Sequence, residues 1–240
     1  MAEWAGADET LDVLCNDRLQ VIQKKGGYRL SLDPLLLANF VRLKKDETLL
    51  DVGTGCGIIP LYMSKRGAAN KLTGIEIQDE LYNLALRNKA LNACANVEFV
   101  RGDARVVGKG LGPFHVVVSN PPYVKAAAGR KSPAGSRLIA RYESTLDLAV
   151  LLSLASSLLF THGRLCLIYP AKRLAEVMYT SRARNLEPKR LRLVHPRVGA
   201  PAALSLVECV KGGGPHLRVE PPLYIYTEND YTQEVKTYYA

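Results

Sequence analysis

Four segments between residues 48 and 119 share one pattern, in which a short apolar strand ends in a turn of glycine or polar residues. This pattern constrains the fold more than any other feature, because helical periodicity separates the first three strands. The predicted strands are 48–52, 71–77, 97–101 and 114–119, and the predicted helices are 57–66 and 79–92. Alternating strands and helices favour a parallel sheet that is covered by helices on both faces.

The second half of the chain continues the alternation. Its predicted elements are a helix over 146–161, a strand at 164–169, a helix over 171–184 and strands at 190–195 and 203–211. We therefore expect an α/β fold with a doubly wound, mostly parallel seven-stranded sheet, whose late strands are antiparallel at one edge. Ligands of such sheets bind at the carboxyl ends of the strands.

The first 45 residues precede this repeating unit. Residues 18–30 predict two short strands around a turn at Gly26 and Gly27, and a helix is predicted from Pro34 to about Val41. We expect residues 1–45 to form a small extension, a hairpin and a helix that cover the ligand site, and residues 46–240 to form the main domain.

The turns after the first three strands carry residues suited to a nucleoside. Residues 51–57 read DVGTGCG, and their glycines allow the backbone to approach a ligand. A dinucleotide fingerprint would need glycine where Ile58 stands. Glu76 ends the second strand, where a carboxylate can accept both ribose hydroxyls, and Asp103 follows the third. Each alone is compatible with an ordinary turn, but their order at successive strand ends favours one shared site.

The fourth strand ends in VVVSNPPY, residues 116–123. Its three valines predict a strand buried on both faces, and the prolines end it because neither has a backbone N–H to donate to a sheet. The amide of Asn120, the rigid carbonyl of Pro121 and the ring of Tyr123 are therefore expected beside the other three turns.

Two of these segments resemble known motifs. The G-x-G-x-G spacing that follows Asp51 resembles motif I of methyltransferases that use S-adenosylmethionine (SAM). Together, DVGTGCG and VVVSNPPY resemble the class I, Rossmann-like amino-methyltransferases that act on adenine, on guanine or on the side-chain amide of glutamine. The resemblance implies SAM as cofactor and a planar nitrogen as methyl acceptor.

Three further segments are similar to the bacterial family that methylates N6 of adenine 37 in valine tRNA, beside the anticodon. They are GGYRLSLDPLLLANF (26–40), RYESTLDL (141–148) and LYIYTENDYTQEVKTYY (223–239). The resemblance covers the chain from about residue 11 to its end and implies tRNA as the partner. Residues 31–34 (SLDP) follow a variant of the family's opening segment and depart from the enterobacterial form.

The resemblance assigns roles to individual residues. For SAM binding it implies Ser31, Asp33, Asp51, Gly53, Thr54, Gly55, Gly57, Glu76, Asp103, Ala104 and Asn120, and for catalysis Asn120, Pro121, Pro122 and Tyr123. The lone pair of an exocyclic amine is delocalised into its ring, and accepting both of its N–H hydrogens turns that lone pair toward a methyl donor. The Asn120 and Pro121 carbonyls are the two acceptors, and Tyr123 offers a face on which an extruded base stacks.

The positive charge of the chain is unevenly distributed. The net charge is +9, and residues 121–200 hold fourteen lysines and arginines against four acidic residues. A phosphate-binding surface beside the site is one interpretation, and a solvated basic face is the other. We expect RNA contacts from the basic residues that follow NPPY, which are Lys125, Arg130, Lys131, Arg137 and Arg141.

Other function classes stay open from the residues alone. The same motif suits an RNA guanine-N2 methyltransferase or a protein-glutamine N5-methyltransferase, and a non-catalytic module that binds SAM or RNA is the alternative outside enzymes.

Five scattered cysteines predict free thiols in a reducing cytoplasm. Four widely spaced histidines predict no metal site, and the apolar segments are too short to predict a membrane span.

Overall fold

The computed structural model describes residues 4–14, 16, 18–26, 31–68, 70–122 and 147–239. Its first elements are an antiparallel hairpin of β1 (Glu9–Leu14) and β2 (Leu19–Lys24), followed by helix α1 (Asp33–Phe40). Pro34 occupies the first turn of α1, where its missing N–H costs no hydrogen bond.

The first of the two strands predicted within residues 18–30 is β2, but it pairs with β1, which precedes it in the chain. The predicted second strand, after Gly27, lies outside the described residues. The Lys25 amide donates to the Asp8 carbonyl at 2.8 Å, so the chain just before Gly26 lies at the open end of the hairpin. The sequence hides β1 because the strand begins with Glu9 and contains Asp12, so it lacks an apolar pattern. Glu9 is nevertheless buried, since both of its carboxylate oxygens accept hydrogen bonds from the Arg87 guanidinium at 2.8 and 2.9 Å.

The four strands predicted between residues 48 and 119 are confirmed. They are β3 (Leu49–Val52), β4 (Leu72–Glu76), β5 (Val97–Arg101) and β6 (Phe114–Ser119). The predicted helices between the first three are α2 (Ile58–Lys65) and α3 (Asp79–Leu91). A single helical turn, α4 (Ala104–Val107), and a 3-10 turn, Gly108–Gly110, lead from β5 toward β6.

The later elements follow the predicted order, but several bounds differ. They are α5 (Leu148–Leu158), β7 (Leu159–Pro170), α6 (Leu174–Arg182), β8 (Leu186–His195), β9 (Leu204–Lys211), β10 (Arg218–Val219), β11 (Leu223–Tyr224) and α7 (Gln233–Tyr239). Strand structure begins at Leu159, inside the helix predicted over 146–161, and at Leu186, before the strand predicted at 190–195. The helix predicted over 171–184 begins instead with a 3-10 turn, Ala171–Arg173. Helix α7 was not predicted, because only Val235 and Tyr238 of its seven residues are buried.

The strands form one large sheet in the order β10-β8-β9-β7-β6-β3-β4-β5, and β11 also pairs with β8. Neighbours from β7 to β5 are parallel, whereas β9 is antiparallel to both β7 and β8. The predicted seven-stranded, mostly parallel sheet is therefore confirmed for its seven long strands, to which β10 and β11 add two residues each. The chain runs outward from β3 to β5 and returns to β6 on the other side of β3. The switch point, where such sheets bind ligands, thus lies between β3 and β6.

Helices cover both faces of the sheet, as the doubly wound arrangement requires. Leu36, Ile59 and Ala85, from α1, α2 and α3, pack on one face. Leu151 and Val177, from α5 and α6, pack on the other. Among the residues that the structure describes, no helix is long and apolar enough to cross a membrane.

Much of the positive charge after residue 120 is neutralised within the fold. Nine lysines and arginines lie between residues 147 and 200, and five of them are arginines in ion pairs. The pairs are Arg164 with Glu47, Arg173 with Glu176, Arg182 with Glu187, Arg190 with Glu208 and Glu220, and Arg192 with Glu234. The basic composition of this segment therefore overstates the charge that is available to a partner.

Candidate functional site

The polar strand ends predicted from the sequence meet at the carboxyl edge of the sheet. Neighbouring parallel strands end side by side there, so the turns after β3, β4, β5 and β6 form one row. The Ser119 hydroxyl donates a hydrogen bond to the Val52 carbonyl at 2.8 Å across the switch point. This bond fixes the end of β6 to the end of β3 and sets Asn120 beside the glycine-containing turn, residues 53–57, called the glycine loop below.

The glycine loop leaves open space over two of its residues. Gly53 and Gly55 have φ angles of 76° and 59°, which side chains rarely adopt. No heavy atom lies within 4 Å of the position that a Cβ atom would take at either residue. The amides of Gly53 and Thr54 both donate to the Ile75 carbonyl at 3.0 Å, which holds the loop against β4. A ligand can therefore approach the backbone closely at these two glycines.

Gly57 has a different structural role. It precedes α2 with a φ of 85°, and a Cβ atom there would lie 2.4 Å from Cζ of Phe99. The missing side chain at Gly57 therefore makes room for the phenylalanine ring of β5. Gly74 in β4 also makes room for the Phe99 ring, because a Cβ atom at Gly74 would lie 2.8 Å from Cδ1 of Phe99 and from Cγ2 of Thr54. The contact of Gly57 with SAM stays a prediction.

Asp51 is the most perturbed acid of the site. It is 1% exposed, and among the described residues neither its carboxylate oxygens nor the Thr54 hydroxyl has a hydrogen-bond partner. Burial raises the pKa of Asp51 to about 7, and the negative charge of Glu76 adds to this increase. A buried carboxylate without a partner is costly, and a cationic ligand group beside it would offset that cost.

Glu76 is anchored to the glycine loop. One of its carboxylate oxygens accepts the Gly55 N–H at 2.9 Å, and the other accepts the Gln78 N–H at 2.8 Å. Burial raises the pKa of Glu76, while these two amide donors lower it. Because each oxygen has a second lone pair, the oriented carboxylate retains acceptor capacity for hydroxyl groups.

Asp103 is held by its own turn of the chain. Its carboxylate accepts the Arg105 backbone N–H at 2.9 Å and caps α4. The Arg105 guanidinium donates to both carboxylate oxygens from Nε at 2.9 Å, and a third, short contact comes from Nη2. These bonds hold the pKa of Asp103 below its usual range, so the carboxylate is ionised and fixed in orientation. Ala104 beside it is fully buried.

The remaining predicted residues fall into three groups. Asn120 is half-buried, Pro121 is buried and Pro122 is exposed at the end of β6. Ser31 is exposed just before α1, and Asp33 is the half-buried first residue of that helix. The residues of the predicted site that lie outside the described part of the chain are Tyr123, Lys125, Arg130, Lys131, Arg137 and Arg141.

Sequence reasoning missed two asparagines that connect the hairpin to the site. Asn88 of α3 accepts the Ile22 N–H at 2.7 Å and donates to the Ile22 carbonyl at 3.3 Å and to the Cys56 carbonyl at 3.1 Å. Asn92, one turn later, makes the same pair of bonds with Gln20 at 2.9 and 2.7 Å. The two side-chain amides thus pair with β2 as a neighbouring strand would. Their spacing of four residues on one helix face was the only sequence signal.

The site shows no arrangement for thiolate or metal chemistry in the part that is described. Burial raises the pKa of the Cys56 thiol in the glycine loop to about 11, which keeps it protonated. No group of three or more histidine, cysteine, aspartate or glutamate side chains among the described residues could hold a metal ion.

The family model and the curated proteins that this chain resembles are methyltransferases. Residues 32–170 match the family model described as methyltransferase small domain. Two similar curated proteins are named tRNA1(Val) (adenine(37)-N6)-methyltransferase. The protein from Parabacteroides distasonis is 28% identical over 92% of this chain and 95% of its own length. The protein from Porphyromonas gingivalis (strain ATCC 33277) is 30% identical over 75% of this chain and 73% of its own length.

Solved structures share the fold. The crystal structure of a predicted O-methyltransferase from Agrobacterium tumefaciens has a TM-score of 0.70 and 25% identity, and covers 86% of this chain and 94% of that chain. The crystal structure of a methyltransferase from Pyrococcus furiosus has a TM-score of 0.59 and 23% identity, and covers 81% and 89%.

Proposed function

This chain belongs to the methyltransferase small domain family, and we propose that it transfers a methyl group from SAM to N6 of adenine in tRNA, at adenine 37 of valine tRNA. The family and fold make it a class I, SAM-dependent methyltransferase. The observation that carries the proposed acceptor is the position of Asn120 and Pro121 beside the glycine loop, held there by the bond between Ser119 and Val52.

The residues present fit SAM. The cofactor carries a sulfonium and an ammonium group. The site offers the carboxylate of Glu76 and that of Asp51, which no hydrogen-bond donor of the described residues contacts. The open space above Gly53 and Gly55 gives the cofactor room against the backbone. When bound, SAM supplies an electrophilic methyl group, so the protein needs to add little acid–base chemistry.

We assign the cofactor contacts by position along the row of strand ends. Glu76 accepts hydrogen bonds from the ribose hydroxyls, because its carboxylate is already oriented by the Gly55 and Gln78 amides. Asp103, fixed by Arg105, accepts from the adenine amino group of SAM. The remaining contacts proposed are those of Ser31, Asp33, Thr54, Gly57, Ala104 and Asn120.

The acceptor nitrogen is oriented by two carbonyl groups. In this proposal the Asn120 side-chain carbonyl and the Pro121 backbone carbonyl each accept one N6 hydrogen of the target adenine, and Tyr123 stacks on its ring. The nitrogen lone pair then points at the methyl group and would form the new N–C bond as the S–CH3 bond breaks. The electron pair of that bond goes to sulfur, so S-adenosylhomocysteine leaves, and one N6 proton passes to water. Pro121 and Pro122 keep the carbonyl rigid, which supplies orientation before the reaction begins.

The hairpin and α1 belong to the same proposal as a cover over the cofactor. Asn88 supports this role, because one side chain contacts both Ile22 of the hairpin and Cys56 of the glycine loop. A tRNA substrate also implies that the protein works in the cytoplasm.

The two carbonyl groups of Asn120 and Pro121 suit a methyl-accepting nitrogen that carries two hydrogens. A methyl-accepting hydroxyl group has one hydrogen, so one of the two carbonyls would have no hydrogen to accept.

The test uses purified protein, SAM and bulk tRNA from a strain that lacks the native modification. After digestion, mass spectrometry of the nucleosides is expected to show new N6-methyladenosine. Asn120→Ala is expected to lower methyl transfer by about 100- to 1000-fold, the usual effect of removing one preorganised hydrogen-bonding group, while the Kd for SAM stays within about threefold. Detection of N2-methylguanosine would show that guanine is the substrate base. The absence of any new methylated nucleoside would refute tRNA as the substrate.

A further inference from the structure

A groove runs along the outer side of α5. Its volume is about 380 Å³, and its floor is a stripe of side chains on that helix, which are Ala149, Val150, Ser153, Leu154 and Ser157. From Ala149 to Ser157 the floor extends for about 12 Å, at the rise of an α-helix. Apart from Leu154 these side chains are small, so a chain molecule can lie close to the helix.

Cations line both walls of the groove. Arg105 and Lys109 come from α4 and the 3-10 turn after it, and Arg184 comes from the turn that follows α6. Gly108 packs against Leu158 of α5, which holds the wall that carries Lys109 against the floor. Among the described residues, Lys109 and Arg184 form no ion pair with an acidic side chain, in contrast to five arginines of the 147–200 segment. The groove therefore holds positive charge that no acidic side chain of the described residues neutralises.

The groove has hydroxyl groups as well as charge. Ser153 is exposed on the floor, and its hydroxyl can donate to an anionic oxygen. The Ser157 hydroxyl already donates to the Leu154 carbonyl at 2.7 Å. Small residues, a hydroxyl donor and cations on two sides are the chemistry that binds a phosphodiester backbone without reading its bases.

The groove also adjoins the proposed active site at one end. Asp103, at the cofactor site, is bound by Arg105 of the groove wall. Helix α5 lies in the connection between the parallel strands β6 and β7, so its first turn lies toward the carboxyl edge of the sheet. A nucleic acid strand that enters the acceptor site can thus continue along α5.

We propose that this α5 groove binds the phosphate backbone of the tRNA substrate through Lys109, Arg184 and Ser153. The inference rests on the proposed function and extends it, because the sequence placed the RNA contacts on residues 125–141 alone. Arg105 is left out of the test, since it already orients Asp103.

The experiment measures the Kd for bulk tRNA as a function of salt concentration. The variant Lys109→Ala/Arg184→Ala is compared with Lys45→Ala/Arg218→Ala, which removes the same two charge types from exposed positions outside the groove. We expect the groove variant to bind tRNA about tenfold more weakly near physiological salt and to lose about 2 from the slope of log Kd against log salt. The control variant is expected to keep both values, and both variants are expected to keep the Kd for SAM.

A second pair of variants tests the floor. Ser153→Glu and Ser153→Gln have nearly the same size, but only the glutamate adds a negative charge, so we expect the weaker tRNA binding for Ser153→Glu. Equal affinities of this pair would overturn the proposal, as would an unchanged salt slope for the groove variant or equal losses for groove and control variants. Because the readout is binding, a wild-type protein that binds tRNA but methylates no adenine would refute the proposed function and still test the groove.

Discussion

The side-chain amide of Asn88 donates a hydrogen bond to the carbonyl oxygen of Cys56 at 3.1 Å. The same side chain pairs with the backbone of Ile22, so one buried residue holds both the hairpin and the glycine loop. Asn92 makes an equivalent pair of bonds with Gln20, and its bonds to the hairpin do not involve the loop. The two asparagines therefore separate the stability of the hairpin from the geometry of the loop.

We predict that Asn88→Ala and Asn92→Ala each lower the free energy of unfolding by about 1–3 kcal/mol, because each leaves buried backbone groups without partners. Only Asn88→Ala is expected to raise the Kd for SAM, by about tenfold, since it alone releases the Cys56 carbonyl. Calorimetric titration with SAM and denaturant unfolding measure the two effects. Equal SAM affinities of the two variants would contradict a role of Asn88 in positioning the loop.

Two alanine substitutions in the glycine loop are expected to differ in their effects, Gly55→Ala mainly on SAM binding and Gly57→Ala mainly on stability. Gly55→Ala costs about 1–2 kcal/mol of backbone strain, because the φ angle of Gly55 is positive. Its methyl group enters the open space that we assign to the cofactor, so we expect the variant to lose SAM binding at cofactor concentrations that saturate the wild type. Gly57→Ala has the same strain and also meets the Phe99 ring, so its loss of stability is expected to be larger. Thermal unfolding and SAM titration distinguish the two variants.

Phe99→Leu provides the control for Gly57. If the collision with the ring is the cause, Gly57→Ala is expected to cost less in the Phe99→Leu background than in the wild type. Additive losses of stability would mean that the ring is not what Gly57 accommodates.

The buried carboxyl of Asp51 predicts a dependence of stability on pH. Its pKa is about 7 in the folded protein and about 4 in an unfolded chain. Between these values the folded state binds more protons than the unfolded state, so stability falls as the pH rises from about 4 to about 7. At higher pH, ionisation of Asp51 costs the folded protein up to about 4 kcal/mol, because one pH unit corresponds to about 1.4 kcal/mol.

Asp51→Asn removes this titration. Without SAM, the variant is therefore expected to exceed the wild type in stability at pH 8, and the difference is expected to vanish toward pH 4. Unfolding in urea at several pH values measures it. A difference that does not change with pH would show that Asp51 titrates normally in the folded protein.

Local patterns in the sequence predicted the elements whose environment is uniform along the chain. Val116–Val118 are buried on both faces of the sheet and are apolar throughout, and residues 53–57 combine glycines with the end of a strand. Such features depend on near neighbours in the chain, so their patterns are readable without the structure.

What the sequence could not predict depends on partners that are distant along the chain. Glu9 is buried because Arg87, 78 residues away, binds its carboxylate, and without that pair β1 reads as a polar segment. The hairpin docks on Asn88, which is 66 residues from Ile22. Arg190 contributes to a basic composition but is neutralised in the interior by Glu208 and Glu220. Composition counts the charge of a residue and gives no information about its partner.

The most direct test of the proposed function is to map the methyl group on an unmodified valine tRNA transcript. The transcript is incubated with the protein and with SAM that carries a deuterated methyl group, digested with a base-specific ribonuclease, and read by mass spectrometry of the fragments. We expect a single labelled methyl group on N6 of adenine 37, and about 100- to 1000-fold slower labelling with Asn120→Ala. A label on guanine, a label on another adenine, or an unlabelled transcript beside a protein that binds SAM would contradict it.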